Sequence, residues 1–107
     1  VMSTPGHTYT HLSYVLEECV AELQSQFGDL IVGHTGRGMA ASLQIAPHVD
    51  MGVLKQCLLN AGVMAEVYWD HVGLLPPLIM TETALRAAFD QLATACVEVA
   101  KACPVLA

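Results

Sequence analysis

Leu12, Val15, Leu16, Cys19, Val20, Leu23 and Phe27 recur at steps of three and four, with Glu17, Glu18, Glu22 and Gln24 mostly between them. That spacing predicts an amphipathic helix, with Gly28 placed to cap it in the left-handed conformation. The preceding stretch, residues 1–11, mixes Pro, Gly, Ser and Thr without periodicity and reads as a flexible arm. Leu30-Ile31-Val32 reads as a short strand, and Gly33-His34-Thr35-Gly36-Arg37-Gly38 as a turn or bulge. Met39, Ala41, Leu43 and Ile45 then alternate with Ala40, Ser42 and Gln44, the period of a half-buried strand. Pro47 ends it.

Asp50 is positioned to cap a second helix carrying Val53, Leu54, Cys57 and Leu58, which closes at Asn60-Ala61-Gly62. Val63 to Trp69 reads as a third strand, Asp70-His71 as a turn and Val72 to Leu75 as a fourth strand. Pro76 and Pro77 cannot donate to a sheet ladder, so the strand stops there. Thr81 can cap a last helix, with Glu82 in the first turn, where the dipole favours negative charge. Along that helix Leu85, Ala88, Phe89, Leu92, Cys96, Val99 and Cys103 share one face.

The resulting order, α-β-β-α-β-β-α, predicts an α+β two-layer sandwich. About four short, mostly antiparallel strands would be covered on one face by three helices. Residues 12–107 form a single domain on this reading, and the uncovered sheet face or a helix flank is the expected docking surface.

Composition sharpens that expectation. Of 107 residues, 54% are hydrophobic and 13% charged, against about 25% charged in an ordinary soluble domain. A domain this small has too little interior to hide so much apolar side chain, so a partner surface or self-association is expected. The net charge of −6, with only Arg37, Lys55, Arg86 and Lys101 as fixed cations, argues against nucleic acid. No apolar run is long enough to span a bilayer, so no membrane is expected and a cytoplasmic location is. Cys19, Cys57, Cys96 and Cys103 have no close metal or redox spacing. Three of them fall on apolar helix faces, as small hydrophobes do. His7 and His11 stand four apart on the arm, which gives no fixed metal geometry. His34, His48 and His71 sit in expected turns.

Three segments, in order, resemble the small domain at the C-terminus of class III (ω-amino) aminotransferases. They are Phe27-Gly28-Asp29-Leu30-Ile31 with Gly36-Arg37-Gly38-Met39, then Leu58-Leu59-Asn60-Ala61-Gly62-Val63, and Leu75-Pro76-Pro77-Leu78-Ile79-Met80-Thr81-Glu82. The resemblance implies a parent enzyme that uses pyridoxal phosphate. It also implies that Arg37, Gly73, Pro76 and Pro77 lie at a substrate entrance or domain interface. Gly73 stands where many relatives carry a carboxylate-gripping arginine. The lysine and aspartate that engage the cofactor belong to the large domain in that family, and neither Lys55 nor Lys101 stands in a matching context. No cofactor is therefore expected in this chain, which would be inert alone. Its partner would be the large cofactor-binding domain or a second copy, in a homo-oligomer. The alternative reading is a stand-alone dimerisation or docking module that keeps the small-domain fold within a biosynthetic assembly.

Overall fold

The computed structural model describes residues 5–37, 40–63, 65–74 and 81–104, with side chains from residue 11 onward and not at Arg37. Seven elements follow in the expected order. They are α1 (Pro5–Gln26), β1 (Ile31–Arg37), β2 (Ala40–Ile45), α2 (Met51–Asn60), β3 (Glu66–Val67), β4 (His71–Leu74) and α3 (Glu82–Ala102). The strands form one open sheet in the order β1-β2-β4-β3, every neighbouring pair antiparallel. The fold is the α+β two-layer sandwich that the pattern predicts.

Register explains the layering. The pairings place His34, Leu43, Val72 and Val67 in one cross-strand row. Leu43 and Val72 in that row are buried, as are Ala41 and Ile45 two positions either way along β2. Period two thus gives the sheet a single apolar face. Val15, Leu16, Cys19, Val20 and Leu23 of α1 join that face in one core with Leu54 and Leu58 of α2 and Leu85, Leu92, Cys96 and Val99 of α3. Helix α1 lies against β1 and β2, and α3 packs between α1 and α2. Among the described residues no polar or charged side chain is buried.

Local chemistry sets the boundaries. Asp50 Oδ1 accepts from the amides of Gly52 (2.9 Å) and Val53 (3.3 Å) at the start of α2. Thr81 Oγ1 accepts from Ala84 N at 3.1 Å at the start of α3. Both match the expected caps. Helix α2 ends in a Schellman turn: Val63 N donates to Leu58 O (2.8 Å) and Gly62 N to Leu59 O (3.1 Å). Gly62, at φ +80°, takes the left-handed position that a side chain would strain.

Four expectations are corrected. The helix begins at Pro5, so positions 5–11, expected as an arm, are helical; proline is well suited to a first turn, where its missing N–H costs nothing. Gly28 is not a left-handed cap, since Gly62 alone among the described residues has positive φ. Instead Leu30 N and Ile31 N both donate to Phe27 O, leading the chain from α1 into β1. The irregularity in β1 falls between Ile31 and Gly33, and the strand then runs on through His34, Thr35 and Gly36 to Arg37. Pairing with β2 overrides the turn propensity of those glycines. Finally, β3 is only Glu66–Val67, and the turn that follows lies at Trp69-Asp70, one residue earlier than expected.

Helices α1 and α3 are also tied at the surface. His11 Nε2 lies 2.8 Å from Glu82 Oε1, Arg86 Nε donates to Glu82 Oε2 at 3.0 Å, and Arg86 reaches Glu18 at 3.6 Å. The bonds from His11 and then Arg86 hold the Glu82 carboxyl below its ordinary range. A depressed carboxylate stabilises the fold above its unfolded-state pKa, and that contribution disappears as pH falls through the folded value. The stability gap between the wild-type chain and Glu82→Gln, measured as urea midpoints, is therefore expected to be present near pH 6. It should narrow as pH falls through the carboxylate range and vanish once Glu82 is protonated in both states. A gap that stays constant over this range would show that the charge of Glu82 does not matter.

Candidate functional site

With every large buried side chain of the sheet directed to the helices, the opposite face is built from the alternate positions. The register sets Thr35, Ser42, Gly73 and Glu66 in one row across all four strands, with Gly33, Gln44 and His71 in the next. This face is low, nearly uncharged and without large aliphatic groups. Ser42, Gln44, His71 and Gly73 are half-buried, and Thr35 and Glu66 are exposed. Gln44 Nε2 donates to Ser42 Oγ at 3.3 Å, a bond along one strand that keeps both side chains close to the sheet. Toward β1 and β2 little side chain stands above this face, which admits close approach of another backbone layer there; toward β3 the Tyr68 ring lies beside Gly73.

Gly73 sits at its centre in a regular strand. It has no positive φ, so it is there for space and not as a turn. A Cβ built on it would meet Tyr68 Cε2 at 3.5 Å and Glu66 Cβ at 3.8 Å, ordinary contact distances. Arg37 lies opposite Ala40 at the end of β1, two strands away from β4, so the structure does not pair it with Gly73. Pro76 and Pro77 lie outside the described residues. Beside Gly73, where α2 overhangs the sheet, an apolar groove of about 560 Å³ runs between Leu58, Leu59, Val67 and Leu74, with Lys55 and Glu66 also on its wall.

The sequence reading did not anticipate the end of the β3–β4 hairpin. Tyr68 and His71 stack there with ring centroids 4.4 Å apart, and Trp69 stands 84% exposed. Only the placing of the chain's single tryptophan next to an Asp-His pair hinted at it.

Burial raises the thiol pKa of Cys96 to about 12, and raises those of Cys19 and Cys57 as well, so none of the three is an activated nucleophile. The hydroxyl of Tyr68 donates to Glu66, and that bond raises the phenol's pKa. Among the described residues no group of His, Cys, Asp and Glu is arranged to hold a metal. No described helix is long and apolar enough to cross a membrane.

Nor do the residues present fit pyridoxal phosphate. The cofactor requires a lysine in an enclosed site and a carboxylate facing the ring nitrogen. Lys55 and Lys101 are both exposed, Lys101 lying 3.5 Å from Glu98, and no described carboxylate is buried.

No protein-family model matches the chain, and no curated protein does. Solved structures do. A sixfold mutant of the thermostable ω-transaminase from Pseudomonas jessenii superposes with a TM-score of 0.82 at 14% identity, over 92% of this chain and 24% of that one. Ornithine aminotransferase from Toxoplasma gondii gives 0.79 at 16% identity, over 92% and 24%. Acetylornithine aminotransferase from Elizabethkingia anophelis gives 0.76 at 20%, over 88% and 24%. The fold of this chain is therefore that of a segment of these aminotransferases, and the chain spans about a quarter of their length.

The geometry at Gly73 makes a direct prediction. Because its φ suits any residue and a methyl group has room, Gly73→Ala is expected to stabilise the chain by about 0.4–1 kcal/mol through loss of unfolded-state freedom. Thermal or urea unfolding checks it. A loss of 1 kcal/mol or more would mean that the position needs glycine for its backbone.

Proposed function

We propose that this chain is the small domain of a pyridoxal phosphate-dependent class III aminotransferase, inert alone. The reading rests above all on one observation: nine-tenths of the chain superposes on less than a quarter of much larger aminotransferases. The order of its sequence segments is a second, independent support. On this reading the cofactor-binding large domain supplies the catalytic lysine and the carboxylate that this chain does not offer. The bare face around Thr35, Ser42 and Gly73 lies against that domain or a neighbouring subunit. Arg37, Gly73, Pro76 and Pro77 border the substrate entrance. Gly73 stands where related enzymes hold an arginine, so on this reading the substrate meets no carboxylate-gripping side chain at that point.

The chain's part in the reaction is to close the site and shape what enters, since binding energy from such walls orients the reacting groups. Treated with pyridoxal phosphate and then borohydride, the purified chain is expected to show no stoichiometric label at Lys55 or Lys101 by mass spectrometry. Specific one-to-one labelling of either lysine would place cofactor chemistry within this chain and defeat the proposal that it is inert.

A further inference from the structure

The end of the β3–β4 hairpin has features that neither the core nor the open face explains. Tyr68 N donates to His71 O at 2.9 Å, closing a two-residue turn, and Ile45 N donates to Asp70 O at 3.0 Å, fixing that turn to the end of β2. The Tyr68 and His71 rings stack at an interplanar angle of 14°, and the Tyr68 hydroxyl is bonded to Glu66. Asp70 Oδ1 lies 2.7 Å from His71 Nδ1. The tip is thus built as a fixed platform. On it the chain places its one tryptophan, Trp69, at 84% exposure beside Tyr68 at 44%.

The local charge is one-sided. Glu66 and Asp70 flank the aromatic pair, and no Lys or Arg occurs from Ala65 to Leu74. Arg86 is engaged by Glu82 and by Glu18 across the α1–α3 contact, and Lys101 lies beside Glu98 within α3. Lys55 shares the groove wall with Glu66, which leaves Asp70 without a lysine or arginine partner among the described residues. An exposed indole one residue from a carboxylate in a fixed turn, the carboxylate itself on His71, offers an ammonium or guanidinium group both a π-face and a negative charge. Exposed tryptophan is also the side chain most often found dominating a protein interface.

We propose that the Tyr68-Trp69-Asp70-His71 tip is a docking point for an Arg- or Lys-bearing segment of another protein chain. The charge of the molecule selects this occupant. At −6 the chain repels nucleic acid and anionic lipid. A second copy brings the same negative charge, and its Arg86 and Lys101 are engaged by its own carboxylates. That leaves Arg37 and the exposed Lys55, so self-association that is lost in Asp70→Asn would assign the tip to a copy and overturn the proposal. The inference is argued from the hairpin of this chain, and its test uses this chain alone, so its failure and that of the aminotransferase reading are distinguishable.

Because Trp69 is the sole tryptophan, its emission reports on the tip directly. Titrating the chain with a capped tetra-arginine peptide is expected to give a saturable change in that emission, weakened by added salt. Asp70→Asn should weaken binding about three- to tenfold and Asp70→Glu restore it, with circular dichroism confirming that both variants fold. Glu17→Gln with Glu22→Gln, on α1, should leave it unchanged. With a dye-labelled peptide read by anisotropy, Trp69→Ala should cost about fivefold or more. The proposal is overturned by no saturable change, by an equal response to tetra-serine, or by equal binding in Asp70→Asn. A shift of Trp69 emission by phosphatidylcholine vesicles with none from the peptide would equally overturn it, assigning the tip to a lipid surface.

Discussion

Everything in this fold depends on one apolar sheet face and the requirement that it be covered. Leu43 and Val72 lie side by side on β2 and β4, and both are almost wholly buried. Around them Ala41 and Ile45 extend the face along β2. Four strands with one such face cannot stand in water alone. The three helices answer that need, α1 across β1 and β2, with α3 wedged between α1 and α2. Covering the sheet from one side leaves the other side to carry what the core does not use. Here that is the low row of Thr35, Ser42 and Gly73. The buried face and the open face are therefore two consequences of the same period-two pattern.

The parts of this structure that were legible in the sequence are those where one physical signal dominates. The stripe from Leu12 to Leu23 and the alternation through Ala41, Leu43 and Ile45 each predict their own burial, and all of those residues are buried. Asp50 and Thr81 cap as short polar side chains at helix starts do. Less legible were places where tertiary pairing competes with local propensity. Three glycines between Gly33 and Gly38 read as a turn, yet Thr35 and Gly36 pair with Ser42 and Ala41 in regular register. Seven residues from Val63 to Trp69 read as a strand, but among the described ones only Glu66 and Val67 form it. The ladder to β4 is short because the turn at Trp69-Asp70 ends it.

The candidate site was legible in a different measure. Gly73 stood out because it occupies a place where a side chain is expected, and the structure gives that glycine ordinary strand geometry, with Tyr68 and Glu66 at ordinary contact distance from where a Cβ would stand. Arg37 could be placed only on its strand, since spacing along the chain says nothing of what faces it across the sheet. Trp69 was read as the end of a strand, because an alternating pattern does not distinguish a buried aromatic from an exposed one. Exposure is a property of the assembled layers. It became visible once β3 proved to be a short edge strand with its turn beyond the reach of any helix.

The helices cover one face of the sheet and leave the other open. The chain shares its fold with about a quarter of the length of several aminotransferases. The most direct measurement is the nucleotide sequence immediately upstream of the Val1 codon. The domain assignment requires the reading frame to continue there into a large domain with a lysine and an aspartate suited to pyridoxal phosphate. An in-frame stop, or continuous coding for an unrelated domain, would contradict it.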